Sequence, residues 1–207
     1  RAYKISYNRP IATRGTYEHR SFYFSAEFAT VQFLERNGYD MSYIAGVDTD
    51  RRGSELLNHK VFLSVGHDEY WSGAQRDNME AARDAGVNLQ FLSGNEGYWR
   101  TRYEASSASG TSTPYRTLVS YKETWGNSKN VGGGKIDTST PEWTGTSRDP
   151  RFADAANGGG NPENALTGTM YMVNDISAPL TVKAAEGKLR LWRNTGLNGL
   201  ASGTSAD

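Results

Sequence analysis

The sequence predicts an α/β protein built on a doubly wound parallel sheet, followed by an irregular β-rich region. Three observations carry this. Apolar strands alternate with helical stretches through residues 1–105. One strand, Lys60-Val61-Phe62-Leu63-Ser64-Val65, is apolar on both faces, as strands buried in parallel sheets are. From Ser106 onward the composition turns to Gly, Ser, Thr and Asn, with short aromatic-rich runs between them.

In chain order, Lys4-Ile5-Ser6-Tyr7 reads as a short strand stopped at Pro10, which lacks a backbone donor. A helix is expected next, capped at Ser25, with Phe28, Val31 and Leu34 on one face and Asn37-Gly38 as its stop. Met41 to Ala45 reads as a second strand, and Gly53 to Asn58 as a helical turn before the third. Ser72-Gly73-Ala74-Gln75 has capping-box spacing and opens a helix running to Ala85 and ending at Gly86. Val87 to Leu92 is the fourth strand. Strand and helix in this order, with short links, is the doubly wound pattern with right-handed crossovers. Residues 106–207 read as a β-rich extension packed on this core, with short strands at Leu118–Trp125, Thr169–Val173, Leu180–Ala184 and Lys188–Trp192. Connectors are expected at Ser106–Ser112, Asn127–Gly134 and Ala155–Gly160.

Composition narrows the chemistry. There is no cysteine, so a thiol nucleophile, a thiolate metal site and a disulfide framework are excluded. Any metal must be held by His, Asp, Glu or Tyr. Basic and acidic residues number 23 each, which leaves no net field to attract nucleic acid. No apolar run approaches the ~20 residues of a membrane-spanning helix. A soluble, cytoplasmic protein is the expectation, and the Arg1 start suggests a fragment of a longer chain.

Ligands of open α/β sheets bind beyond the carboxyl ends of the strands. There the sequence places Tyr7-Asn8-Arg9, Gly46-Val47-Asp48, Gly66-His67-Asp68-Glu69-Tyr70-Trp71 and Gly94-Asn95-Glu96-Gly97-Tyr98-Trp99. An imidazole beside two carboxylates suits a hard cation, or a general base with an orienting partner. It equally suits two acids favouring a helix N-terminus while His67 satisfies a loop carbonyl. Asn95 is placed to polarise a carbonyl or to close an Asx-turn. Tyr70, Tyr98 and their tryptophans wall a pocket or simply pack. His19 and His59 read as structural. Ser93 lacks the G-x-S-x-G context of a nucleophile elbow.

The runs Tyr3–Pro10, Leu34–Asp40, Gly46–Gly53, Ser64–Ser72, Gly94–Glu96, Tyr121–Trp125 and Asn161–Gly168 together resemble the C-terminal domain of the N,N-dimethylformamidase large-subunit family. The resemblance implies a glutamine-amidotransferase-like core and hydrolysis of a small amide at a mononuclear iron, Fe(III), held by two tyrosinates and a carboxylate. It implies Glu69 as the carboxylate ligand, Tyr7 as one tyrosine ligand, and a second tyrosine upstream of Arg1. It further implies His67, Asn95 and Glu163 as catalytic or substrate-orienting residues; the rim reading itself places Asp68, Tyr70, Glu96 and Tyr98 around the substrate. A small partner subunit and a homo-oligomer belong to the same expectation. The alternative is a non-catalytic aromatic-rich module that stacks on carbohydrate.

Overall fold

A computed structural model describes residues 2–10, 23–106, 112–125, 134–174 and 176–206. The expectations at His19 and at the Asn127–Gly133 stretch fall outside these residues, as do most of the Ser106–Ser112 connector and the side chain of Ser25.

The chain is mixed α/β and divides into two compact units, Arg1–Tyr171 and Met172–Asp207. In the first unit the apolar strand is confirmed as β2, Val61–Val65, after β1 at Lys4–Ser6. β3 is Tyr70–Ser72, β4 Asn88–Leu92, β5 Trp99–Glu104 and β6 Thr117–Val119. β2 pairs parallel with β4, from Val61 opposite Asn88 to Val65 opposite Leu92. β3 pairs parallel with β5, from Tyr70 opposite Trp99 to Ser72 opposite Thr101. The second ladder continues through antiparallel pairs into a four-stranded sheet of order β1-β6-β5-β3. That four-stranded sheet is therefore mixed, while β2 and β4 form a separate parallel pair among the described residues.

The helices follow their end signals. α1, Phe28–Arg36, ends at Asn37, and Gly38 takes the left-handed conformation with φ +73°. A π-helical turn over Tyr23–Glu27 precedes it. α2 is Gly46–Arg51, and a 3-10 turn occupies Gly53–Asn58. α3, Gly73–Asp84, carries the expected capping box: Ser72 Oγ accepts from Gln75 N at 3.0 Å, and Ser72 N donates to Gln75 Oε1 at 3.1 Å. Its buried face, Met79 and Ala82, packs with Leu56, Trp71 and Val87 into the core, against Ile44, Phe62, Leu89 and Phe91.

Several local readings are replaced. Met41–Ala45 is extended but makes no ladder, because neither β2 nor β4 is paired to it. β5 begins where the alternating style of the sequence ends, so a charged segment, Trp99-Arg100-Thr101-Arg102, is a strand interior. Its register is held by partners rather than by apolar alternation. Arg102, buried, donates to Glu104 at 2.7 Å and pairs with Asp137. A short four-residue helix, α4 at Asn164–Thr167, follows the buried Glu163.

In the second unit β7, Val182–Lys183, pairs antiparallel with β8, Ser205–Ala206, and α5 spans Ala184–Gly187. Lys188–Trp192, expected as a strand, instead ends in a 3-10 turn at Arg190–Trp192, and Thr169–Val173 forms no strand.

Candidate functional site

The site grows from an interruption shared by two parallel ladders. Four residues, 66–69, separate β2 from β3, and six, 93–98, separate β4 from β5. The two loops lie against each other: Gly97 N donates to Asp68 O at 2.9 Å and Trp99 N to Glu69 O at 2.8 Å. Gly66 makes the turn possible, with φ +86° and Ala26 only 2.9 Å from where a side-chain carbon would sit. Backbone polarity is satisfied between the loops, so the side chains of both are released to the rim.

His67 is the most exposed group of the cluster, and its Nε2 lies 3.4 Å from Glu69 Oε2. Glu69 is mostly buried and makes no other side-chain hydrogen bond or ion pair among the described residues. Asp68 accepts from Ser64 Oγ at 2.9 Å. Burial pushes the Asp68 carboxyl above its ordinary value, against the opposing pull of Trp71, Ser64 and His67. Glu96 is 1% exposed, and neither carboxylate oxygen has a hydrogen-bond partner. Burial, then the nearby Asp68, drives its pKa up as well. The Asn95 side chain is half-buried in the same loop, and its carbonyl accepts from Tyr98 N at 3.3 Å.

Two aromatic residues border the rim, each under a cation. Lys122 Nζ donates to the Tyr70 hydroxyl at 2.6 Å and sits 4.7 Å from the centre of the Trp99 ring. The backbone of Lys122 is left-handed, with φ +51°, a conformation costing of order 1 kcal/mol in a non-glycine residue. Arg148 stacks over Tyr98 at 5.1 Å, and Tyr171 meets that ring edge-on at 5.5 Å. Arg148 also closes an ion pair with Glu163, whose carboxylate is 1% exposed.

The structure thus brings His67, Asp68, Glu69, Asn95 and Glu96 together, with Tyr70 and Tyr98 beside them. Glu163 is linked to this group through Arg148 and Tyr98. Tyr7, 44% exposed, stacks on Tyr103 at 6.3 Å. His59 bonds Ser42 at 2.8 Å, and Asp48 pairs with Arg52, both structural uses. Sequence reasoning missed Lys122 and Arg148 as supports of the rim. The Tyr121–Trp125 run contains Lys122 and none of the family-like runs contains Arg148, and both reach their rings across long sequence separations.

The sequence model of the family described as N,N-dimethylformamidase beta subunit-like, C-terminal, matches residues 1–206. The chain belongs to this family. No curated protein matches it. Iron, the group expected from the sequence resemblance, can be tested against these residues. Glu69, a hard carboxylate whose partner among the described residues is an imidazole, fits such a cation, and the sequence has no thiolate ligand to compete. Among the described residues no three His, Cys, Asp or Glu side chains converge as a metal shell.

Proposed function

We propose that this N,N-dimethylformamidase-like domain hydrolyses the C–N bond of small amides at the rim built by residues 66–69 and 93–98. The observation that carries the proposal is the His67–Glu69 pair, 3.4 Å apart, set directly against the loop of Asn95 and Glu96. Bound at Glu69, with Tyr7 as a further candidate ligand, iron would supply the Lewis acid that polarises an amide carbonyl. Everything else is protein chemistry. His67, exposed and 3.4 Å from the Glu69 carboxylate, is suited to take a proton from water and return it to the leaving nitrogen. The Asn95 amide is a donor for the carbonyl oxygen. Asp68, Tyr70, Glu96 and Tyr98 line the approach, and Glu163 holds Arg148 over Tyr98.

The same proposal extends to the fold. β2 and β4, parallel and covered by α3, are the centre of a doubly wound, glutamine-amidotransferase-like sheet whose carboxyl ends carry the site. A partner subunit is implied by the family description, and no helix of the described residues is long and apolar enough to cross a membrane.

The test is formate release from a panel of N-alkylformamides, measured together with metal content. Iron near one per chain with turnover is the expected result. A metal-replete protein inert toward every linear amide would remove the activity while leaving the family assignment in place.

A further inference from the structure

A cavity of about 30 Å³ lies between the start of α3, Gly97 of the rim loop, Arg100 of β5, and Ser147, Gly158 and Asn161. A water-sized centre needs roughly 10–15 Å³, so the cavity has room for about two oxygen atoms side by side. Its walls are cut back by glycine. A side-chain carbon at Gly73 would collide with the Arg100 guanidinium, and one at Gly158, left-handed at φ +82°, would sit 3.8 Å from Arg100 Nη1. The guanidinium is thus held between two bare stretches of backbone, with 19% of the side chain exposed.

Arg100 is short of acceptors. Its buried Nε has no hydrogen-bond partner, and the ion pair that its Nη2 makes with Glu142 spans 3.7 Å, beyond hydrogen-bond distance. Its remaining contact is the Trp143 ring, 5.0 Å from the guanidinium carbon. A second arginine on the wall, Arg76, is already spent: it pairs with Glu80, and its Nη2 donates to Asn161 Oδ1 at 3.1 Å and to Pro162 O at 3.4 Å. Asp77, also on the wall, is exposed to water. Arg100 is therefore the cation whose donors face this cavity unfilled among the described residues.

We propose that the cavity binds a small carboxylate held by the Arg100 guanidinium. A guanidinium only donates, so what completes it must accept, and the planar pair of oxygens of a carboxylate matches its fork. Charge-assisted bonds of this kind are about twice as strong as neutral ones, which favours a carboxylate over an uncharged amide. The tetrahedral oxygens of phosphate exceed the space. Gly97 belongs to the cavity and to the rim, where its amide bonds Asp68 O at 2.9 Å, so an occupant touches the loop that carries Asn95 and Glu96. Carboxylate binding here is independent of amide hydrolysis. Formate, the acid that the proposed cleavage of a formamide would release, is the smallest ligand of the class.

The experiment is a titration of the isotopically labelled full chain with sodium acetate at pH 7 and constant low ionic strength, read at the amide NMR resonances of Gly73, Gly97 and Gly158. It is repeated with formate, acetamide and inorganic phosphate. Saturable binding of acetate and formate is expected, with acetamide silent and phosphate weaker. Arg100→Gln should weaken acetate about tenfold or more. Glu142→Gln, at an exposed side chain, removes a competing carboxylate and should tighten acetate by about twofold. Equal responses to acetate and acetamide would overturn the proposal, as would an affinity unchanged in both variants. If Arg100→Gln does not fold, Glu142→Gln decides alone, and unchanged affinity there overturns it. Phosphate binding as tightly as acetate would replace the carboxylate site with an unselective anion site. Because binding is read without turnover, acetate binding in a protein inert toward amides keeps this site and removes the hydrolase, and amide turnover without acetate binding does the reverse.

Discussion

His67 Nε2 faces Glu69 Oε2 across 3.4 Å, at the one place where both parallel ladders of the first unit are interrupted. The imidazole is the more exposed partner and the carboxylate the more buried, so the pair has a solvent side and a protein side. If the imidazole moves a proton, His67→Ala should lower kcat on an active amide by roughly 10²-fold or more, with little change in the circular dichroism spectrum. An unchanged kcat at saturating amide would show that the ring only packs.

Glu69→Gln keeps shape but removes the charge that would hold a cation. Loss of bound iron is expected, with a thermal midpoint close to that of the parent, since no side-chain partner other than His67 is given up. Metal analysis of the two proteins, expressed side by side in iron-rich medium, decides it. Equal iron in both would take Glu69 out of the metal site.

The capping box at the start of α3 is independent of any function. Ser72→Ala removes the acceptor for Gln75 N and the donor to Asp50 in one step, at a buried position. A destabilisation of about 1–2 kcal/mol is expected in urea unfolding, with an unchanged slope. A loss below about 0.3 kcal/mol would mean that water replaces both bonds.

Glu96 gives a pH-dependent prediction. Its folded pKa lies above the ordinary 4.5, burial being the main cause, so the folded state binds the proton more tightly than the unfolded one. Stability contributed this way falls as pH rises from the unfolded value through the folded value, and is recovered below about 4.5 where both states are protonated. Glu96→Gln should therefore be more stable than the parent at pH 7, by an amount that shrinks to near zero toward pH 4. Paired melting curves from pH 4 to 8 test this. A variant less stable than the parent at pH 7 would show that the carboxylate has a partner after all.

Much of the helical structure was legible because local chemistry specifies it. Ser72 and Gln75 form their box from residues three apart, and Gly38 takes the left-handed conformation at the end of α1. β2 and β4 were legible as apolar runs bounded by turn residues. β5 was not, because Arg100 and Arg102 hide it: what makes Arg102 tolerable inside a sheet is Asp137, 35 residues away. Met41–Ala45 shows the opposite failure, an apolar run with strand character that makes no ladder among the described residues.

By itself, the sequence determined the family, the absence of any thiol chemistry, and the placing of His67, Asp68, Glu69, Asn95 and Glu96 at strand ends, since strand periodicity and turn residues act over a few positions. Only the tertiary structure decided which of these side chains are satisfied. It paired Asp68 with Ser64, placed Arg148 between Glu163 and Tyr98, set Tyr7 against Tyr103 and buried Glu96. Burial and partnership depend on what distant segments bring to the same point, and no local pattern carries that information.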